Sequence, residues 1–507
     1  MKFIKRVLRF LTNRITLITF FALLQMAIFV LLTIYFAEQF RYFMYFNYAL
    51  SALLVIIVLR SDDPPIYKMS WVIPLLVAPV FGGLFYLTFK PIRTHRRLRK
   101  KHLNQHDMRR ANLLSLMEEP THLDDETLKQ VHYLNTDVWP MYENTQMEFL
   151  PSGEAKLFKV LDELKKAEKS IFIEYFILEE KGAVFQAMYP ILVEKAQQGV
   201  DVRLLYDDWG TSLRIEKGFK KRMEQVGIKT EVFNPLKLRF QVSLQYRDHR
   251  KIIIIDGTVG FTGGINIADE YANIKKRFGH WHDAGIMLKG DAVYSLTAIF
   301  LESWDLYRKE TTNIDLYQPI PYPSDGQVIP YSDSPFTKTF LTKNLYMQMI
   351  SLAKKEIYIT TPYFIVDSEL VNMIKLQALS GVKIHILIPG IPDKKYVYVV
   401  TKYYLKLLAD VPNVYIYEYT PGFLHSKILY IDDETATVGT VNFDFRSFYL
   451  HFENAVWFHN SSCLKDIKLF LKETMNESKI LKFEDLDNRN FFYRIFEALM
   501  VATSHLL

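Results

Sequence analysis

The sequence predicts an α/β protein built from two similar halves, with apolar helices ahead of them at the N-terminus. Strand-like and helix-like segments alternate from Thr136 onward, which is typical of α/β sheets. Gly199-Val-Asp-Val-Arg-Leu-Leu and Gly381-Val-Lys-Ile-His-Ile-Leu are two versions of one element, so the unit is duplicated. Long uncharged runs precede both versions and indicate membrane segments.

The composition limits the class of protein. A chain of 507 residues is too long for one compact core, so two or three domains are expected. Half of the residues are hydrophobic, with abundant tyrosine and phenylalanine, which suggests membrane contact. The net charge of +6 is too small to identify a partner. The single cysteine, Cys463, excludes an intramolecular disulfide framework and is expected to be a buried apolar residue.

Three apolar runs lie near the N-terminus: Ile15–Phe36, Phe43–Leu59 and Met69–Phe89. The first is long enough to cross a bilayer, and the charged segment Glu38–Arg41 follows it where a signal peptide would have small residues. The second is marginal in length, and the third contains prolines and glycines that permit a kink or a re-entrant turn. We therefore predict a membrane anchor over residues 1–92 with two or three hydrophobic segments.

Basic residues flank this anchor on both sides, at residues 2–14 and at Arg93–Lys101. Positive flanks stay cytoplasmic, so both ends inside would require an even number of spans, although three runs are present. We predict a basic cytoplasmic connector over residues 93–135. Arg93–Lys101 within it is either a solvated linker or a surface for anionic lipid headgroups.

The two α/β halves are predicted over residues 136–320 and 321–507, with a boundary in the Pro-, Ser- and Asp-rich segment Asn313–Thr337. Predicted strands of the first half are Ser170–Leu178, Val200–Tyr206, Gly227–Phe233 and Lys251–Ile255, with helices Ala155–Lys169 and Val184–Gln198. Those of the second half are Glu356–Thr361, Val382–Ile388, Val414–Glu418 and Lys427–Ile431, with helix Asp367–Ser380.

The C-terminal segment Arg489–Leu507 is predicted to form an amphipathic helix. Its apolar positions at helical spacing are Phe492, Ile495, Phe496, Leu499 and Met500. Two interpretations are open: the helix packs on the core, or it lies in the interface of a bilayer.

One pattern of residues occurs twice at equal spacing, H-x-K-x4-D-x6-G-[GT]-x-N. Apolar residues between the lysine and the aspartate predict a buried strand, and residues two apart on a strand face the same side. Two such strands side by side would bring two imidazoles and two ammonium groups to one cavity. The residues of the two copies are His249, Lys251, Asp256 and Asn266, then His425, Lys427, Asp432 and Asn442.

These residue types suit chemistry at phosphorus. An imidazole acts as a nucleophile or as a general acid and base near neutral pH. Ammonium groups and asparagine amides bind phosphoryl oxygens. The apolar flanks supply no carboxylate cluster, so we expect no metal and no cofactor. One copy alone could be an ordinary strand with a surface histidine, but five matched residue types occurring twice argue against coincidence.

The two motifs resemble the signature of the phospholipase D superfamily, and the chain is similar to its bacterial cardiolipin synthases. The similarity extends from about Phe43 to the C-terminus. It implies a duplicated phospholipase D-type fold, in which two α/β sandwich halves meet at a pseudo-twofold active site. Further segments that carry it are Ile173–Ile177, Gly199–Asp208, Thr361–Phe364, Tyr417–His425 and Asn442–Phe448.

The resemblance implies a role for each motif residue. His249 would be the nucleophile and His425 the general acid and base, although the equivalence of the copies leaves that order open. The phosphate oxygens would be held by Lys251, Lys427, Asn266 and Asn442. Asp283 and Glu453, downstream of the two motifs, would orient the histidines. The motif aspartates Asp256 and Asp432 complete the catalytic set but are expected to fix turns and ion pairs more than to react.

Two positions depart from the usual cardiolipin synthase pattern. His282 stands where arginine is common, and His451 stands where asparagine is common. Neither belongs to the repeated motif, so the departures leave the activity in place. We expect them to affect headgroup recognition or the tuning of the histidines.

The implied activity is transfer of a phosphatidyl group between two phosphatidylglycerol molecules, giving cardiolipin and glycerol. The expected partners are phosphatidylglycerol and anionic membrane lipids, with no nucleic acid. The expected location is the bacterial cell membrane, multi-pass, with the catalytic domain on the cytoplasmic side.

The alternatives are a phospholipase D-type hydrolase, a transferase using serine or another alcohol, a nuclease of the same superfamily, and a non-catalytic scaffold for acidic lipids. The apolar N-terminus and the lack of a long basic stripe count against the nuclease. Two complete motifs count against the scaffold.

Overall fold

The computed structural model describes residues 14–35, 37–61, 65–89, 92–117, 120, 122–235, 246–337, 339–487 and 490–504. These residues divide into two compact units, one that ends at His95 and one that begins at Arg96. The second unit holds both predicted α/β halves. The predicted boundaries at residues 92, 135 and 320 stay predictions.

The N-terminal unit is helical. Its helices are α1 (Arg14–Tyr35), α2 (Ala37–Leu59), α3 (Pro65–Val77) and α4 (Pro79–Phe89). Within the described residues, one segment, Arg41–Leu59, is long and apolar enough to cross a membrane. The first predicted run is helical as far as Tyr35, whereas Phe36 and the basic segment before Arg14 lie outside the described residues. The number of spans therefore stays a prediction.

The third predicted apolar run is two helices in place of one continuous span. α3 ends at Val77 and α4 begins at Pro79, with Ala78 between them. Proline at 79 has no amide hydrogen to continue the helical ladder, so the chain breaks there. The two helices close a small apolar cluster with α2, formed by Leu54, Val58, Leu75 and Tyr86.

The predicted basic connector is a packed element where its side chains are described. Helix α5 (Ile92–Leu114) buries His102, His106 and Arg109, and helix α6 (Asp125–Asn135) follows. Arg109 forms an ion pair with Asp305. Asp124 caps α6 by accepting hydrogen bonds from two backbone amides. Lys100 and Lys101 remain exposed, which leaves the lipid-surface hypothesis open for that end of α5.

Two mixed β-sheets form the centre of the second unit. The first sheet has the order β1-β9-β7-β6-β2-β3-β4. Its strands are β1 (Thr145–Leu150), β2 (Ser170–Tyr175), β3 (Asp201–Asp207), β4 (Lys229–Phe233), β6 (Lys251–Ile255), β7 (Val259–Gly263) and β9 (Gly285–Gly290). Strands β2, β3 and β4 are parallel, and β6, β7 and β9 form an antiparallel meander.

The second sheet repeats that order as β10-β19-β17-β16-β11-β13-β14, with β20 added at one edge. Its strands are β10 (Gln327–Asp333), β11 (Glu356–Thr360), β13 (Lys383–Pro389), β14 (Val414–Tyr419), β16 (Ile428–Ile431), β17 (Thr435–Gly439), β19 (His451–His459) and β20 (Ser478–Leu481). The duplication predicted from Gly199 and Gly381 is thus present strand by strand in the topology.

Five short strands of the described residues lie outside the main sheet paths: β5 (Arg247–Asp248), β8 (His280–His282), β12 (Phe364–Ile365), β15 (Gly422–Leu424) and β18 (Phe443–Asp444), which pairs with β12. Helices of the first half are α7 (Gly153–Lys166), α8 (Ala183–Gln197), α9 (Asp208–Thr211), α10 (Phe219–Gln225) and α11 (Val293–Arg308). Those of the second half are α12 (Leu341–Leu352), α13 (Ser368–Leu379), α14 (Lys395–Lys406), α15 (Phe445–Tyr449), α16 (Cys463–Asn476), α17 (Phe483–Asp487) and α18 (Phe491–Ala502).

The C-terminal helix α18 leaves its apolar side uncovered. Five large side chains on it are exposed, and they are Phe491, Phe492, Ile495, Phe496 and Leu499. The helix packs against α14, where Tyr404 and Ser504 share a hydrogen bond of 3.4 Å. Of the two interpretations of this segment, core packing does not account for these exposed residues.

Candidate active site

Short strands that pair between the two halves position each motif histidine. Strand β5 pairs with the start of β19, and the His249 amide donates to the carbonyl of Phe452 at 2.8 Å. Strand β15 pairs in the same way with β8, and the His425 amide donates to the carbonyl of His282 at 2.7 Å. Since an acidic residue follows each of these carbonyls, the pairing puts each histidine beside a carboxylate of the other half.

The resulting contacts are reciprocal. Nδ1 of His249 lies 2.9 Å from Oε2 and 3.0 Å from Oε1 of Glu453. Nδ1 of His425 lies 2.6 Å from Oδ2 of Asp283. Both carboxylates were expected near the histidines, but no sequence pattern predicted that the pairs are exchanged between halves. The four side chains are almost fully buried.

The carboxylates are ionised at neutral pH. Burial acts to raise the pKa of Glu453, but interaction with His249 lowers that pKa below its usual range. Burial also opposes ionisation of Asp283, yet interactions with His425 and Lys427 lower the pKa of Asp283 to about 2. An ionised carboxylate only accepts hydrogen bonds, so the proton of each neutral imidazole sits on Nδ1. Nε2 of each ring therefore keeps its lone pair.

Both imidazoles are neutral in the free protein. Burial lowers the pKa of His249 to about 3, against the opposing effect of Glu453. Burial and then the charge of Lys427 lower the pKa of His425 to about 4, with a smaller contribution from Lys251 of the other motif. Aromatic rings supply part of this burial, with Phe176 against His249 and Trp281 against His425.

The motif lysines are anchored to the histidine backbone. Nζ of Lys251 donates to the carbonyl of His249 at 2.6 Å, and Nζ of Lys427 donates to that of His425. Burial lowers the pKa of Lys251 to about 8 and the pKa of Lys427 to about 7. Asp283 opposes both shifts. The two motifs thus belong to one electrostatic cluster, as the predicted shared site requires.

The motif aspartates lie at the opposite ends of the strands from the histidines. Asp256 accepts hydrogen bonds from the amides of residues 168, 169 and 170, at 2.7–2.9 Å. Asp432 accepts from residues 354, 355 and 356, at 2.6–2.8 Å. Both have positive φ, 52° and 55°, which aspartate tolerates in turns. The two aspartates therefore stabilise the turn and the start of the neighbouring strand, and the turn role was expected. Their partners are backbone amides and not the expected ion-pair partners. Neither aspartate contacts a motif histidine.

The motif asparagines are buried and already hydrogen-bonded. Oδ1 of Asn266 accepts from the Ile177 amide at 3.0 Å, which leaves Nδ2 as its remaining donor. Nδ2 of Asn442 donates to Oδ2 of Asp444 at 3.1 Å, and its second hydrogen remains. Each amide can therefore offer a phosphate oxygen one N–H group, and that role stays a prediction.

The difference between Gly264 and Thr440 in the two motifs has a structural cause. A Cβ at Gly264 would lie 2.2 Å from Oδ1 of Asp283 and 3.0 Å from the carbonyl oxygen of His425, so a side chain does not fit. In the other half, the Thr440 hydroxyl donates to Oε2 of Glu453. The second residue of the G-[GT] pair thus supports the orienting carboxylate in both copies. Gly264 leaves room for Asp283, and Thr440 donates a hydrogen bond to Glu453.

Lys156 is a buried lysine that interacts with the motif residues and was not predicted from the sequence. It lies on α7, 3% exposed, and its Nζ has no hydrogen-bond partner among the described residues. Nζ lies 5.6 Å from the ring centre of Tyr175, which pairs with Lys251 across β2 and β6. Burial lowers the pKa of Lys156 to about 7, and Asp283 opposes the shift. A lysine on the same buried helix face as Val160 and Leu164 was the signal available in the sequence.

The two unusual histidines have different surroundings. His282 is stacked on Tyr419 and Phe470, and its Nε2 bonds the Thr474 hydroxyl at 2.8 Å. His451 lies inside the site, with its ring centre 5.4 Å from that of His249.

Comparison with known proteins agrees with this architecture. Residues 160–304 and 346–474 match the family described as cardiolipin synthase, PLD-like domain, and residues 49–91 match the phospholipase D-nuclease N-terminal family. The crystal structure of a phosphatidylserine synthase from Haemophilus influenzae has the same fold, with a TM-score of 0.58 at 15% identity, over 75% of this chain and 98% of that one.

Two relatives are similar over nearly their whole length. A cardiolipin synthase of Alkalihalophilus pseudofirmus is 35% identical over 480 residues, 91% of this chain and 93% of that protein. The major cardiolipin synthase ClsA of Bacillus subtilis is 33% identical over 482 residues, 90% of this chain and 96% of that protein. The fold and the paired motifs define a protein of the phospholipase D-like class. Within that class the chain belongs to the cardiolipin synthase family, as the resemblance predicted.

Proposed function

We propose that this chain is a cardiolipin synthase, a phosphatidyltransferase that uses one phosphatidylglycerol as donor and a second as acceptor. The products are cardiolipin and glycerol. The observation that carries the proposal is the reciprocal pairing of His249 with Glu453 and of His425 with Asp283. It leaves two imidazole lone pairs, beside two desolvated lysines, in one buried cluster.

In the first step, Nε2 of His249 attacks the phosphorus of the donor. A P–N bond forms and the P–O bond to the glycerol headgroup breaks. The leaving glycerol oxygen takes a proton from Nε2 of His425. His425 is neutral in the free protein, so its Nε2 takes this proton from the solvent as the phosphodiester anion enters and raises the pKa of His425. Asp283 stabilises the resulting imidazolium through Nδ1.

In the second step, the acceptor replaces glycerol. His425 removes the proton from the terminal hydroxyl of a second phosphatidylglycerol, whose oxygen attacks the phosphohistidine. The P–N bond breaks and His249 returns to its starting state. Lys251, Lys427 and the Nδ2 groups of Asn266 and Asn442 bind the non-bridging oxygens in both steps. The assignment of His249 as the nucleophile follows the family resemblance.

The identity of the acceptor is tested with labelled substrate. Phosphatidylglycerol carrying label in the headgroup glycerol and in the acyl chains is incubated with the full-length protein in lipid vesicles. Cardiolipin together with released glycerol is expected from the wild type and neither from His249→Ala. Phosphatidic acid as the main product would establish a hydrolase. A new phospholipid formed only when serine or another alcohol is added would establish a different transferase.

We further infer that the protein lies in the bacterial cell membrane as a multi-pass protein, with the catalytic unit on the cytoplasmic side. The apolar segment Arg41–Leu59 and the basic residues that follow the anchor support this placement. Cys463 is buried and burial raises the pKa of its thiol to about 12, so it will not react with a maleimide. The exposed Ser380 replaced by cysteine should therefore be labelled by an impermeant maleimide in inside-out vesicles but not in intact cells.

A further inference from the structure

We propose that His249, His451 and Glu453 form an inhibitory site for a divalent metal ion of the Zn²⁺ type. Each residue offers one ligand atom, and the three atoms lie within 4.8 Å of one another. Two imidazoles and a carboxylate are a ligand set that Zn²⁺ binds in proteins. Binding of the ion needs no part of the proposed lipid chemistry, whereas its inhibitory effect rests on the proposed role of His249.

The distances suit a small ion after a modest rearrangement. Nδ1 of His451 lies 3.5 Å from Oε1 of Glu453, and Nδ1 of His249 lies 2.9–3.0 Å from the two oxygens of that carboxylate. Metal bonds of about 2.0–2.1 Å in a tetrahedral site put ligand atoms about 3.3 Å apart. The widest separation therefore has to shrink by about 1.5 Å at most, which rotation of one imidazole can supply.

His451 is the ligand that makes the site distinctive. Its Nδ1 is buried and has no hydrogen bond among the described residues, although the side chain is only 10% exposed. With only the 3.5 Å contact to Glu453, this buried ring nitrogen leaves part of its bonding capacity unused, and coordination would use it.

Both negative and positive groups surround the three ligands. Glu453 and the buried Asp444 beside His451 supply negative charge. The ammonium of Lys251 opposes a cation. The Thr440 hydroxyl binds Oε2 of Glu453, so Oε1 remains for the metal and the carboxylate stays oriented.

Coordination would disable His249 through its tautomer. In the free protein the proton of His249 sits on Nδ1 and the lone pair sits on Nε2. A metal–Nδ1 bond requires the Nδ1 lone pair, so the proton moves to Nε2 and the imidazole remains neutral. Nε2 then has no lone pair for phosphorus. No bond is broken other than N–H, and no oxidant or reductant takes part.

The other half offers an internal comparison. Asp283 and His425 make the equivalent pair, but Trp281, whose indole offers no metal ligand, stands in the place of His451, and the neighbouring His282 is bonded to Thr474. We therefore expect one metal site and not two.

The binding test is calorimetry of ZnCl₂ with the full-length protein in detergent, comparing wild type, His451→Asn and His282→Asn. The wild type should bind one ion at this site, and His451→Asn should weaken its affinity at least about tenfold. His282→Asn is the matched control and should leave the affinity unchanged. Thermal unfolding of each variant reports whether it is folded. Equal affinity in wild type and folded His451→Asn overturns the site.

The inhibition test is kept separate. Phosphatidyl transfer is measured against ZnCl₂ concentration, with each variant scaled to its own metal-free rate. The wild type should be inhibited and then restored by EDTA, while His451→Asn should need at least about tenfold more metal. Metal bound at His451 without any inhibition of phosphatidyl transfer would overturn the inhibitory role of the site. A wild type with no metal-free transfer would instead defeat the proposed function and leave the binding result standing.

Discussion

Glu453 belongs to the second half of the chain, yet its carboxylate lies 2.9 Å from Nδ1 of His249 in the first half. That contact fixes the imidazole ring and places its proton on Nδ1. It therefore determines whether Nε2 can attack phosphorus.

We expect Glu453→Gln to lower kcat by about a thousandfold or more, since an amide no longer enforces the Nδ1–H tautomer. ¹⁵N chemical shifts of His249 should show proton density on Nε2. Asp283→Asn should act on His425 in the same way. The exposed Glu434→Gln is the matched control. A kcat within a few-fold of wild type for Glu453→Gln would remove the orienting role.

His249→Ala and His425→Ala should both abolish transfer from phosphatidylglycerol while leaving membrane insertion intact. A phosphatidyl ester with nitrophenol as leaving alcohol separates the two roles, because that alcohol leaves without a proton. With this substrate His425→Ala should still accumulate a phosphohistidine, detectable by mass spectrometry at residue 249. His249→Ala should not. A phosphohistidine at residue 425 in the His249→Ala protein would reverse the assignment.

Lys156→Met should lower kcat by about a hundredfold, since it removes a desolvated cation from the cluster that receives the phosphodiester anion. Lys159→Met, one turn along the same helix and partly exposed, is the control. Wild-type kcat in Lys156→Met would show that Lys156 is only part of the packing.

The same variant changes the pH dependence of stability. The unfolded chain keeps Lys156 protonated up to about pH 10.5, whereas burial lowers the pKa of the folded residue to about 7. Between these values the unfolded state binds more protons, so the unfolding free energy rises with pH by up to about 1.4 kcal/mol per pH unit from this residue. Lys156→Met should lack that rise in denaturant titrations between pH 7 and 9. An identical slope in both proteins would contradict it.

Asp256→Ala should lower the unfolding free energy by about 3 kcal/mol, because three amides lose a charged acceptor. The kcat per folded molecule should stay within about twofold of wild type, since Asp256 does not contact the histidines. Asp432→Ala should behave alike. A loss of kcat at unchanged stability, measured on folded protein, would show that these aspartates take part in catalysis.

The exposed face of α18 should contact lipid. Phe492→Trp in full-length protein reconstituted with brominated lipid should show quenching beyond that of the wild-type tryptophans. Leu469→Trp, also exposed but on α16, should show none. Equal quenching at both positions would leave the apolar face of α18 without a lipid contact.

The sequence was informative where apolar residues run continuously. Ile252–Ile255 and Ile428–Ile431 predict buried strands, because a strand covered on both faces has no polar alternation. Strands β7 and β17 went unpredicted, because Val259-Gly-Phe-Thr-Gly263 and Thr435-Ala-Thr-Val-Gly439 mix glycine and threonine with short apolar stretches.

The rest of the site depended on contacts between distant segments. The family resemblance identified Asp283 and Glu453 as orienting acids, but the exchange between halves arises from the pairing of β5 with β19 and of β15 with β8, which local pattern does not encode. Lys156 was missed for the same reason, since its role depends on Asp283 and Lys251 being close in space. Composition identified the third apolar run, whereas Pro79 determined where it breaks.

The exchanged carboxylates make the duplicated chain more than two linked modules. A half expressed alone would possess an imidazole and a lysine but would lack the acid that orders its own ring. Restoring function by mixing separately produced halves would require them to associate first. Because both halves belong to one polypeptide, each carboxylate stays beside the histidine of the other half. Its effective concentration there does not change on dilution.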